Sequence, residues 1–330
     1  MTVPTTSGST TLHLNSLISM TSSNHELQYL YMMMNIQSFL KKYKGLVDVE
    51  IAKEMEKRGQ EVKELSPHLV PILQAMNELS VGGKRLRAML TILGYEIARN
   101  NSAKPDPEMT SIIKAGVVME IFHLGLLIQD DFMDRDMERR GVPTLIARYK
   151  NEHQGNFISM LAGDYTFGWG IEIMSGLEIS PERVKQAMAV WGRYFSRVGY
   201  GQTLDGLDIA DDSTIMQILE LKSGEYSCVL PLLLGATLGG ASEELKEKLR
   251  LYGMELGWVF QLRDDYLGYE KDMTKKGKRT YATMNGKAKT LNAIAQHTEL
   301  AKKWGLSLRG SSSQDRILLE LVEWLGTREN

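Results

Sequence analysis

Residues 112–134, IIKAGVVMEIFHLGLLIQDDFMD, decide the fold. The first eighteen of them form the most apolar long segment of the chain, interrupted by Lys114, Glu120 and His123, and they run straight into Asp130 and Asp131. A stretch that carries ionisable groups and ends in paired acids predicts a buried core helix, with no membrane span. We place that helix over 108–137, stopped by the turn Arg139-Arg140-Gly141-Val142-Pro143, because glycine and proline end helices. A helix buried on most sides needs other helices around it.

The rest of the sequence supplies them. The eight prolines stand at 4, 67, 71, 105, 107, 143, 181 and 231, so the last 99 residues have none. A sandwich or barrel would need turn residues every 8–12 positions, and an alternating α/β chain would show repeated β-branched runs. Helical spacing instead predicts helices in 25–60, 68–100, 144–151, 156–176, 181–208, 212–240, 242–272, 286–304 and 313–326. No 20–50-residue repeat or linker divides them, which predicts one large all-α domain, a helical bundle over 25–330. The Ser/Thr-rich residues 1–24 read as a flexible tail and a poor signal peptide.

Composition removes several classes of function. A chain with 43% hydrophobic residues is not disordered. With 39 Lys and Arg against 41 Asp and Glu, it has no basic excess for nucleic acid, so phosphate chemistry would depend on local charge. The single cysteine, Cys228, excludes an intrachain disulfide and a cysteine-rich zinc site and fits a reducing, cytoplasmic setting.

Local charge is unusual at three places. In LLIQDDFMDRDMERRG, Asp130 and Asp134 lie four apart on one helical face with Asp131 beside them, and such like charges repel by about a few tenths of a kcal/mol. They call for a cation or for full solvation, and oxygen donors suit Mg²⁺, which is commonly held by carboxylates together with substrate phosphate. Arg139 and Arg140 follow, and arginine contacts phosphate bidentately. A solvated charged helix end is the alternative, and the buried character of 112–129 argues against it. In WVFQLRDDYLGYEKD a second apolar helix runs into Asp264 and Asp265, with Gln261 one turn earlier. Packed antiparallel, the two motifs would face each other across a cavity and hold a small cluster of Mg²⁺ ions. The third place is VGGKRLR, where Lys84, Arg85 and Arg87 offer a phosphate site that is not a P-loop, and His123 lies two turns before Asp130.

Taken together, GGKRLR, His123, DDFMD followed by RRG, Lys222-Ser223 and FQLRDD resemble the trans-isoprenyl diphosphate synthases, the polyprenyl synthetase family, in order and separation over residues 80–280. The resemblance implies an all-α bundle of the isoprenoid synthase type around a central cavity, a homodimer, and Mg²⁺, three ions per site when substrate is bound. It assigns metal binding to Asp130, Asp131, Asp134, Asp264 and Asp265. It gives the allylic diphosphate to Arg139, Lys222, Ser223, Gln261 and Lys278, and isopentenyl diphosphate to Lys84, Arg87, His123 and Arg140, with Arg85 nearby. GQTLD at 201–205 and GDY at 163–165 match with less obvious chemistry. Gly268 replaces the third aspartate of the second motif, Asp272 follows, and a short MTKKGKRT leaves Lys275 or Lys276 to substitute for a lysine contact.

The implied reaction is head-to-tail condensation of isopentenyl diphosphate with dimethylallyl, geranyl or farnesyl diphosphate. Leu126, Gly125, Phe122 and Met119 stand 4, 5, 8 and 11 positions before Asp130, a stripe for lining a hydrocarbon channel. Helical rise puts Gly125 ~7.5 Å and Phe122 ~12 Å below Asp130. Family members that stop at fifteen carbons carry an aromatic at the fourth or fifth position. Gly125 therefore predicts a longer product, geranylgeranyl diphosphate, with Phe122 as the floor, and Gly125→Phe a shorter one. The alternatives are a farnesyl or longer-chain synthase, a class I terpene cyclase, which generally has a hydroxyl where Gly268 stands, and an inactive partner subunit, which tends to lose an aspartate motif. An EF-hand fails on spacing.

Overall fold

The computed structural model describes residues 35–99, 106–207, 209, 211–274, 279–308 and 312–329. The helices are α1 Ile36–Leu65, α2 Val70–Ser80, α3 Leu86–Ala98, α4 Met109–Asp134, α5 Glu152–Ser175, α6 Pro181–Gly206, α7 Asp212–Leu219, α8 Leu230–Leu238, α9 Glu243–Thr274, α10 Tyr281–Ser307 and α11 Ser312–Thr327. Local chemistry fixes many of their starts. Asn35 and Thr280 each form a reciprocal capping box with the residue three positions on, Asn151 and Asp211 accept from backbone N–H groups, and Pro181 opens α6.

The quoted stretch becomes α4 and lies at the centre, packed against α1, α3 and α5. Among the described residues it is the one helix long and apolar enough to cross a membrane, yet 78% of that stretch is buried inside the protein. Ile112, Val118, Met119, Ile121 and Phe122 are each at most 2% exposed. Burial of each such side chain contributes roughly 1.5–3 kcal/mol, which holds α4 in the core. On the far side of the cavity α9 packs against α10, α11 and the segment before α8.

The structure adjusts several sequence expectations. The block 68–100 is two helices, because Gly82 (φ 86°) and Arg85 (φ 58°) turn the chain between α2 and α3. Residues 144–151 contain only the 3₁₀ turn Ile146–Arg148. The helix expected over 108–137 ends at Asp134, where Arg135 is left-handed (φ 56°), and the following residues form a hairpin of β1 Glu138–Arg139 and β2 Val142–Pro143. Its two central residues, Arg140 (φ 53°) and Gly141 (φ 78°), have the positive φ that a tight two-residue hairpin needs. The span 212–240 is α7, a π-helical stretch Glu220–Val229, and α8. Pro231 has no N–H to complete an α-helical ladder there. The proposed tail, 1–24, lies outside the described residues.

Candidate active site

The end of α4 meets the hairpin. Arg139 donates to Asp131 Oδ1 from Nε at 2.7 Å and Nη2 at 2.6 Å, and Nη2 stands 3.5 Å from Asp130 Oδ2. The short hairpin achieves this by folding Arg139 back over the helix it has just left. Lys222, from the π stretch, reaches Asp130 Oδ1 at 3.8 Å and donates to Asp205 of GQTLD at 2.6 Å. Asp134 is exposed on the same edge of α4. Burial pushes the Asp131 carboxyl above the usual range against the pull of Arg139, and its Oδ2 is buried with no hydrogen-bond partner.

The second motif divides. Asp265 is 3% exposed and accepts from Gln261 Nε2 at 2.7 Å and from the Tyr281 backbone N–H at 2.9 Å, while Ser223 Oγ donates to Gln261 Oε1 at 2.5 Å. Burial raises the Asp265 carboxyl to about 6. Asp264 instead accepts from Arg328 Nη2 at 2.5 Å, a residue beyond α11. Gly268 leaves room that the Asp272 carboxylate occupies, since a Cβ there would meet Asp272 Oδ2 at 3.1 Å.

Two adjoining cavities result, sharing Arg87, His123, Leu127 and Phe260 as a common wall. The larger, about 970 Å³, holds Asp130, Asp134, Asp205, Lys222 and Asp265 at its polar end. The smaller, about 460 Å³, is lined by Lys84, Arg85, Arg87, His123, Arg140 and Arg328. Two guanidinium groups on its wall, Arg87 and Arg328, each have a buried Nε with no acceptor. Burying an unmatched cationic donor is costly, so the smaller cavity is suited to an anion. Arg87 is held by Ser227 Oγ at 2.7 Å and by the Tyr226 ring at 4.6 Å. His123 shares a hydrogen bond of 3.0 Å with Tyr226, and burial together with Arg87 and Arg140 keeps it neutral, with its pKa well below the usual range. Arg85 is occupied by Asp48 and by the Ser80 carbonyl, so it ties α1 to the glycine turn while lining the wall.

A carboxylate-bearing cavity thus adjoins an arginine-lined one, and the two share a neutral histidine on their common wall. The polyprenyl synthetase family profile matches residues 70–312. The chain belongs to the polyprenyl synthetase family. This polyprenyl synthetase is 33% identical over 249 residues to a geranylgeranyl diphosphate synthase of Methanosarcina mazei, a match covering 74% of this chain and 68% of that one. It is 30% identical over 230 residues to a geranylfarnesyl diphosphate synthase of Aeropyrum pernix, covering 67% of this chain and 68% of that one. Its fold matches the crystal structure of geranylgeranyl pyrophosphate synthase from Corynebacterium glutamicum, complexed with isoprenyl diphosphate and magnesium, with a TM-score of 0.76, 20% identity, and coverage of 89% and 100%.

The carboxylates fit Mg²⁺ in a particular way. Among the described residues no three His, Cys, Asp or Glu side chains converge on one point. The orphaned Asp131 Oδ2 and its neighbour Asp130 supply hard oxygen donors. Mg²⁺ is usually bound by one or two carboxylates plus substrate phosphates, without a protein cage, so this donor set suits it once diphosphate is present.

The structure corrects the channel stripe. Leu126 lines the larger cavity, but a Cβ on Gly125 would meet Thr166 Oγ1 at 2.1 Å and the Gly163 carbonyl at 3.0 Å. Gly125 therefore faces α5, where it allows two helices to approach closely. Met119 is buried in the core and Phe122 is enclosed by other rings. Lys275, Lys276 and Lys278 lie outside the described residues. Sequence reasoning missed Arg328, Tyr226, Ser227 and the chemistry of Asp205. Only Asp205 had a signal, the GQTLD match.

Proposed function

We propose that this polyprenyl synthetase condenses isopentenyl diphosphate with an allylic diphosphate, head to tail, releasing diphosphate, and that its principal product is geranylgeranyl diphosphate. The adjoining cavities carry this reading: a metal-suited acidic site with an apolar interior beside a basic site of about 460 Å³. A terpene cyclase would have no use for the second anion site.

The allylic diphosphate sits at the acidic end, where Arg139 and Lys222 turn from Asp130, Asp131 and Asp205 to its oxygens. Asp130, Asp131 and Asp134 on one wall and Asp265 on the other would hold Mg²⁺, with Asp264 turning from Arg328 to join them, and the ion would supply charge neutralisation of the leaving diphosphate. The allylic C1–O bond ionises, and diphosphate keeps the electron pair. Isopentenyl diphosphate, held by Lys84, Arg87, Arg140 and neutral His123, presents its double bond across the shared wall. Its C4 bonds to C1, and the proton lost from C2 passes to the released diphosphate. The apolar interior shields the cation from water.

The test is incubation with Mg²⁺, isopentenyl diphosphate and each of the five-, ten- and fifteen-carbon primers, followed by sizing of the products. Elongation ending mainly at twenty carbons is expected; failure to elongate any primer overturns the proposal.

A further inference from the structure

The larger cavity runs inward from Asp130 between α4, α6 and the π stretch, past Leu126, Val198, Ile215 and Leu219. Leu126 is one helical turn below Asp130, so the apolar lining begins immediately beneath the carboxylates. On α6 the same cavity extends from Asp205, paired with Lys222, back to Phe195. Ten residues of helix separate these two, or ~15 Å along the axis.

At Phe195 the cavity meets a block of aromatic rings. Phe122 is fully buried and is contacted edge-on by Phe167 at 5.3 Å, Phe195 at 5.4 Å, Tyr226 at 5.6 Å and Trp191 at 5.7 Å. Phe167 stacks on Trp191 at 5.7 Å and an interplanar angle of 10°, and it presses on Phe195 at 3.8 Å. Of Phe122, Phe167, Trp191 and Phe195, only Phe195 lines the cavity. It is half-buried, with one face on the cavity and the other against rings that support one another.

We propose that Phe195, on α6, is the end wall that sets product length, in place of Gly125 or Phe122 on α4. This rests on the prenyltransferase reading above. A growing tail that passes Leu126 and Val198 stops at this ring because Phe167 and Trp191 leave it nowhere to move. A phenyl ring has six carbons and an isoprene unit five. Exchanging the ring for a methyl group therefore opens space for about one more unit, and a larger ring removes space.

The test compares the wild type with Phe195→Ala and Phe195→Trp, using Mg²⁺, isopentenyl diphosphate and the five-carbon primer, with products sized by chromatography and mass. Phe195→Ala is expected to move the main product up by one isoprene unit and Phe195→Trp down by one. Phe195→Leu gives the upward shift in a milder form should the alanine variant unfold. Active variants that all give the wild-type product distribution overturn this assignment and leave the prenyltransferase reading standing. A wild type that elongates no primer overturns both.

Discussion

Arg328 and Asp264, 64 residues apart, form one ion pair at 2.5 Å on the wall of the basic cavity. The guanidinium also donates to the Phe260 carbonyl at 3.1 Å and lies over the Phe260 ring at 4.5 Å, and its side chain is 7% exposed. It thereby joins the end of α11 to the second acidic motif and adds a cation to the site assigned to isopentenyl diphosphate.

Arg328→Ala is therefore expected to weaken isopentenyl diphosphate more than the allylic substrate. A hydrogen bond to a charged group contributes roughly 1.5–3 kcal/mol, and ~1.4 kcal/mol is tenfold in affinity. Steady-state kinetics should show the KM for isopentenyl diphosphate rising about tenfold or more while the allylic KM changes little. Equal changes in both would remove Arg328 from that site.

Asp265 gives a pH dependence whose sign is fixed. Burial raises its folded-state carboxyl to about 6, from 3.8, so between those values the folded protein holds a proton that the unfolded chain has lost. The metal-free protein thus loses stability as pH rises through that window, by up to about 3 kcal/mol at ~1.4 kcal/mol per unit. In the presence of chelator, Asp265→Asn should melt at a higher temperature than the wild type at pH 7, with the difference shrinking towards pH 4.5. A difference independent of pH contradicts this.

The channel substitutions separate two readings of α4. Gly125→Phe forces a ring into the contact with Thr166 and Gly163. Overpacking of this kind costs roughly 1–3 kcal/mol or more, so its main effect should be a lower melting temperature. Leu126→Phe points into the cavity and should shorten the product by one isoprene unit with little loss of stability. Product sizing and thermal melts of both variants check this.

What the sequence disclosed and what it hid divide along one line. Residues 112–134 announced a buried helix because apolar content and ionisable interruptions are local properties. The acidic pairs were legible for the same reason, since each lies within a few residues on one helix. Gly125 was misread because periodicity says which residues share a face and not which neighbour that face meets; its lack of a side chain serves the contact with α5. Phe195 and Arg328 belong to no local pattern, and they reach the two cavities only because α6 and the end of α11 pack beside residues distant in sequence. The π stretch, which brings Lys222, Ser223, Tyr226 and Ser227 to one cavity, reads in sequence as an ordinary helix.

Asp130 sits between Arg139 and Lys222. Asp130→Ala should lower kcat by ~10²–10³-fold or more, the scale of losing one preorganised electrostatic contact in a water-poor site. Chelation of divalent ions should abolish wild-type turnover, and added Mg²⁺ should restore it. Retained activity in the alanine variant would remove the first acidic motif from the reaction.

The most direct measurement follows released diphosphate with farnesyl diphosphate alone, isopentenyl diphosphate alone, and the two together. Two adjoining substrate cavities predict release only with both present, one diphosphate for each new carbon–carbon bond. Release from farnesyl diphosphate alone at the same rate, with no elongated product, would contradict the account.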